Sequence, residues 1–228
     1  MYLLNNLNRI KSEIADALKA SGRAQQKVEL IAVSKTVNSE EIRKLYSYGQ
    51  RSFAENRPQA LRDKTKELSD LNIEWHFIGH LQSNKIKYVY PTSALVHSVD
   101  RIELIEEFKK YADKTGVICP FLLQVHISGE STKQGFDPSE ILDIIKQYNN
   151  DNRLSIKGLM GMAPLNSDTQ TTGDCFKRLY TLFNESRQSE GSSYKAEVLS
   201  MGMSGDFVLA ISEGSTMVRI GSALFNRE

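Results

Sequence analysis

The chain opens on an amphipathic stretch. Leu3, Leu4, Leu7, Ile10, Ile14 and Leu18 recur at steps of three and four, and Ser21-Gly22 closes the pattern, so 2–22 is predicted as a helix. Val28-Glu29-Leu30-Ile31-Ala32-Val33-Ser34 then breaks the period with a short run rich in β-branched residues, the mark of a buried strand. Asn38-Ser39-Glu40-Glu41 reads as a helix cap, with Ile42, Leu45 and Tyr46 on the face behind it. The alternation repeats to the end of the chain. Strands are predicted at 53–55, 73–78, 94–99, 121–127, 154–160, 196–201 and 216–220, and helical segments at 58–69, 83–88, 101–115, 138–149, 172–188 and 204–213.

Strands separated by helices of this length imply βαβ crossovers and a parallel sheet. Eight such units in roughly 200 residues fit a closed (β/α)8 TIM-type barrel with an extra N-terminal helix. An open doubly wound sheet is the alternative, but no GxGxxG follows the first strand. The polar stretch 163–173 is expected to be a mobile surface loop rather than a linker, and 1–228 a single domain.

Composition narrows the function. The 228 residues are 40% hydrophobic and 25% charged, as in an ordinary globular domain. Twenty-nine Lys and Arg against 28 Asp and Glu leave a net charge of +1, which gives no broad basic footprint for nucleic acid. Cys119 and Cys175 are too few for a disulfide scaffold, have no zinc-type spacing, and are expected to be free buried thiols. No apolar run approaches the ~20 residues of a membrane span, and the first residues lack a signal peptide's basic start and apolar core. A cytoplasmic protein with no membrane partner is expected.

In a parallel barrel the chemistry sits at the C-terminal ends of the strands. Lys35 follows the first strand directly. A lysine there either snorkels to solvent or is an amine able to form a Schiff base with an aldehyde. Ser200, Gly202, Ser204 and Gly205 follow the seventh strand, and Gly221-Ser222 the eighth. Small residues and hydroxyls at these two ends suit a phosphate. A phosphate site facing a Schiff-base lysine describes a pocket for pyridoxal 5′-phosphate (PLP). Arg219, at the last strand end, cannot accept a hydrogen bond from a protonated pyridine nitrogen as an aspartate does, so the nitrogen would stay unprotonated and the cofactor a weaker electron sink; an ion pair with a carboxylate is the other reading of this residue. Among the four histidines, His76 and His97 are expected to pack or hydrogen-bond near strands, and His80 to face the pocket.

The chain resembles the PLP homeostasis proteins of the YggS/PROSC type, which are similar to the N-terminal barrel of alanine racemase. The resemblance rests on seven segments in order: Ala32–Thr36, Phe53–Asn56, Trp75–Lys85, Val96–Arg101, Gly158–Met160, Ser200–Ser204 and Gly214–Gly221. It implies PLP on Lys35, Arg219 by the pyridine nitrogen, Ser200, Ser204, Gly221 and Ser222 around the phosphate, Asn56 beside the ring, and Met160 and Met201 bordering the pocket. Ala54 stands where the family usually has glycine, Ala60 where it has an acid, and Pro58 is also unusual.

The implied role is intracellular vitamin B6 homeostasis, with the cofactor buffered or delivered to PLP-dependent apo-enzymes and little or no catalysis. A PLP-dependent amino-acid racemase is the alternative. Racemisation needs a base on each face of the α-carbon. Lys35 serves one face, while the second base, in alanine racemase, is a tyrosine of a separate C-terminal domain expected to be missing here. Without that domain's dimer contacts a monomer is expected.

Overall fold

A computed structural model describes residues 1–129 and 134–226. Residues 130–133 and the last two of the expected 1–228 domain lie outside the described part. The chain runs α1 (Tyr2–Ala20), β1 (Glu29–Val33), α2 (Ser39–Ser47), β2 (Ser52–Glu55), α3 (Pro58–Glu67), β3 (Glu74–Phe77), a 3-10 turn leading into α4 (Ile86–Val89), β4 (Leu95–Val99), α5 (Ile102–Thr115) and β5 (Phe121–Val125). It continues through α6 (Ile141–Tyr148), β6 (Ile156–Gly161), α7 (Thr169–Ser186), β7 (Tyr194–Met203), α8 (Phe207–Ser212), β8 (Met217–Ile220) and α9 (Ser222–Phe225). All the strands pair in parallel in chain order, and β8 closes on β1. The predicted (β/α)8 barrel with its leading helix is the observed fold. No helix among the described residues is long and apolar enough to cross a membrane.

The local chemistry explains the boundaries. The Asn38 side chain accepts the Glu41 N–H and opens α2. Pro58 sits in the first turn of α3, where its missing N–H costs nothing, so this unusual residue is compatible with the helix it starts. Gly116, at φ 67°, ends α5 in the left-handed conformation. The 163–173 reading is corrected: Asp168 caps a helix that begins at Thr169, its carboxylate accepting the Thr171 N–H at 2.7 Å. The polar Thr-Gln-Thr-Thr sequence hid a helix start behind residues typical of loops.

Side chains alternate across the barrel wall. Outward residues such as Leu30, Phe53, Phe77, Val96, Leu123 and Leu199 join the core between sheet and helices. Inward residues form a smaller apolar cluster of Ile31, Val33, Ala54, Leu95, Leu122, Met160 and Met217. Ala54, in the family's glycine position, is thus a fully buried interior contact. α1 packs on α8 and α9, and Asn6 donates to the carbonyls of Leu224 and Asn226, tying the leading helix to the last strand crossover. Cys119 and Cys175 are both free and buried, and burial raises the Cys119 thiol to about 12.

Candidate functional site

Lys35 lies two residues past β1, at the exposed mouth of the barrel. Among the described residues its ammonium has no hydrogen-bond or ion-pair partner. The turn that carries it is clamped from behind. Glu55, at the end of β2, is fully buried; its Oε1 accepts from Ser34 Oγ at 2.6 Å and from Lys64 Nζ at 2.8 Å. Lys64 also donates to the Ser34 carbonyl at 2.7 Å. One buried ion pair thus holds the residue immediately before Lys35 from both its side chain and its backbone.

Asn56 follows at the half-buried end of β2. Its backbone touches Gly79 at the end of β3: a Cβ on Gly79 would come within 1.9 Å of the Asn56 carbonyl oxygen. Only glycine allows these two strand ends to meet so closely.

The seventh and eighth strand ends meet at Ser204. Its Oγ accepts the N–H of Gly221 and the N–H of Ala223, each at 3.2 Å. Ser222 stands exposed between them, and Gly221 lies against Val33, which places this corner beside the turn carrying Lys35. Asp206 accepts the Met203 N–H at 2.6 Å and fixes the turn bearing Ser204. A groove of about 630 Å3 adjoins it, between residues 164–169 and α8.

Arg219 is only 4% exposed. It donates to Ser200 Oγ at 2.6 Å and to the Gly161 carbonyl at 3.2 Å. The alternative of an ion pair is not realised: no carboxylate among the described residues lies within ion-pair distance of it. Burial pulls its pKa down to about 10, so it stays charged at neutral pH. Met160 is buried inside the barrel, next to the carbonyl that receives the guanidinium.

Two expectations need correction. Ser200 is fully buried, and its hydroxyl is taken by Arg219 and by His97 Nδ1, which lies 2.9 Å away. It supports the arginine instead of offering its hydroxyl to a phosphate. Met201 follows it on the opposite face of β7, so its side chain is buried in the outer core rather than at the mouth. His80 is exposed just past the end of β3 and faces Asp100, Nδ1 to Oδ2 at 3.4 Å.

Two groups were not assigned a site role from sequence. One is the Glu55–Lys64 clamp, whose only mark was an acid closing an otherwise buried strand. The other is the pair His76 and His97, buried inside the barrel with Nδ1 and Nε2 at 2.9 Å. Their inward position in apolar strands was the available signal. Burial lowers the pKa of His76 to about 4; burial, then the charges of His76 and Arg219, lower that of His97.

An acid weakness follows. The unfolded chain protonates His76 near 6.5, the folded one near 4, so between these values the unfolded state holds the extra proton. The contribution is intact above pH 6.5 and is lost as the pH falls towards 4, about 3 kcal/mol for a shift of this size. Urea unfolding at pH 7 and at pH 4.5 should show a larger loss of stability for the wild type than for His76→Gln. Equal losses would refute it.

The alanine racemase N-terminal domain family matches residues 6–227. The chain is 36% identical over 225 residues to the pyridoxal phosphate homeostasis protein of Aquifex aeolicus, covering 99% of this chain and 98% of that one. It superposes with TM-score 0.93 on a crystal structure of an unknown protein from Bifidobacterium adolescentis, at 33% identity, covering 98% of this chain and 94% of that one. PipY of Synechococcus elongatus, with PLP bound, gives TM-score 0.80 at 37% identity, covering 93% of this chain and all of that one. The chain belongs to the alanine racemase N-terminal domain family and, within it, to the pyridoxal phosphate homeostasis proteins.

Proposed function

We propose that this barrel, acting as one domain, binds PLP and serves its intracellular homeostasis with little or no catalysis of its own. The supporting observation is the buried Arg219, which has no carboxylate among the described residues within ion-pair distance, Asp206 acting on it only from farther away. A guanidinium in such a place calls for an acceptor, and a pyridine nitrogen with a free lone pair is one. The rest of the donor set fits the same molecule. Lys35 presents a free amine at the mouth, and Ser204 with the N–H groups of Gly221 and Ala223 forms a corner of polar atoms for the phosphate. Ser222 borders that corner, and in this reading Asn56 lies beside the ring and Met160 borders the pocket. PipY, the relative with PLP bound, supports the assignment.

When bound, the cofactor supplies an electron sink for amino-acid chemistry. Lys35 would hold it, its Nζ being the amine available to the aldehyde, with water as the leaving group. Arg219 would donate a hydrogen bond to the ring nitrogen without protonating it, which would leave the sink weak. A weak sink in an open mouth suits storage and release better than turnover. In this reading the protein acts in the cytoplasm as a monomer and passes its cofactor to PLP-dependent apo-enzymes.

The test has two arms. The loaded protein is mixed with an apo-form of a PLP-dependent enzyme, and recovery of that enzyme's activity is followed; it is also incubated with L-alanine and assayed for the D form. Recovery without D-alanine is expected. Sustained racemisation would replace this reading with the racemase one, and failure to take up PLP at all would remove both.

A further inference from the structure

A chain of hydrogen bonds descends the inside of the barrel from Arg219. The guanidinium has no lone pair to offer, so at 2.6 Å Ser200 Oγ is the acceptor and Arg219 the donor. That leaves the Ser200 hydrogen for its only other hydrogen-bond partner among the described residues, His97 Nδ1 at 2.9 Å. A neutral His97 with Nδ1 accepting carries its hydrogen on Nε2, which lies 2.9 Å from His76 Nδ1. His76 in turn carries its hydrogen on Nε2, facing Glu29 Oε1 at 3.8 Å at the opposite end of the barrel. Each link donates away from the arginine. The reverse direction would leave the Ser200 hydrogen with no acceptor.

We infer that Ser200, His97 and His76 form a one-way relay that locks both imidazoles as Nε2–H tautomers and fixes the direction in which Arg219 points. The three are positioning residues. This rests on the PLP reading only for what Arg219 is aimed at; the tautomers are a property of the ligand-free barrel. The charged and titratable groups facing the histidines are Glu29, Glu74 and His97 around His76, and His76 and Arg219 around His97.

The design explains how a cation remains buried without a carboxylate against it. A carboxylate touching Arg219 would compete with the ring nitrogen for its donors. A neutral hydroxyl, polarised through two imidazoles towards the carboxylates of Glu29 and Glu74, orients the guanidinium without neutralising it. Ser52 Oγ donates to Glu29 at 2.6 Å and lies 3.1 Å from Glu74, which gathers both acids at the far end.

The test reads tautomers first. Long-range 1H–15N spectra of the labelled, ligand-free full chain at pH 7 should show His76 and His97 each with a protonated Nε2 and a bare Nδ1. In Ser200→Ala the His97 pattern should become a mixture. PLP affinity is then compared in His97→Leu, which breaks the relay, and His97→Gln, which can accept and donate in its place. His97→Leu should weaken binding about ten-fold, the effect of losing support for one hydrogen bond to a charged group, and His97→Gln should restore most of it. A protonated Nδ1 or an imidazolium on either ring overturns the relay, as does equal affinity of the Leu variant and wild type. If the tautomers are as stated and the wild type takes up no PLP, the relay stands and the cofactor reading alone falls.

Discussion

Lys35→Ala is expected to remove the Schiff-base absorbance band of the PLP-loaded protein and leave its fold untouched. Both halves come from where the residue sits. Its side chain is exposed and unpartnered among the described residues, and substitutions of that kind fall within about ±0.5 kcal/mol. The thermal midpoint of the ligand-free variant should therefore match wild type. Among the described residues the chemistry has no understudy nearby. Lys64, behind the same turn, is committed to Glu55 and to the Ser34 carbonyl, and its side chain is only 15% exposed. Lys35→Arg keeps the charge but is not expected to give the bond, because a guanidinium stays protonated at neutral pH and is no nucleophile there. Both variants should still bind PLP weakly through the Ser204–Gly221 corner and Arg219, without fixation by borohydride. A wild-type absorbance band in Lys35→Ala, or borohydride-fixed cofactor on another lysine, would overturn the assignment.

Much of this site was legible from order along the chain. In a parallel barrel every strand end arrives at the same rim, so residues as distant as Lys35, Ser204 and Gly221 are neighbours once the strands are recognised. The periodicity that located β1, β7 and β8 located the rim as well. Legibility stopped at questions of direction. Period two says that Ser200 and Met201 face opposite ways, yet a sequence without paired strands does not say which faces inward. The bulge between β7 and β8, where Ser200 pairs with Met217 but Met203 with Arg219, adds to the difficulty. Cross-barrel pairs were equally hidden. His76 and Ser200 become links of one chain only because His97, on β4, stands between them. The start of α7 was lost for a different reason: Thr and Gln carry little helix signal, and the Asp168 cap is recognised only once its N–H partner is known.

The clamp behind Lys35 carries the largest expected cost in stability. Glu55 is fully buried, and Oε2 already has no hydrogen-bond partner among the described residues. Among the described residues Lys64→Met removes the only cation at its other oxygen and leaves a buried carboxylate supported by the Ser34 hydroxyl alone. Removing one partner of a buried pair costs about 3–5 kcal/mol, because the remaining charge stays desolvated without compensation. The Ser34 carbonyl loses its donor at the same time, so the turn leading to Lys35 should loosen and PLP loading should slow even in protein that remains folded. Replacing both partners distinguishes this account from simple loss of packing. Glu55→Leu combined with Lys64→Met removes the orphaned charge and keeps an apolar volume, so most of the lost stability should return. The pair of measurements is a urea midpoint for each variant with an unchanged slope. If the double variant is as unstable as Lys64→Met alone, the cost lies in shape and not in the buried charge. In either case the rate of loading reports separately on the turn, since the double variant restores the stability but not the hydrogen bond from Nζ to the Ser34 carbonyl.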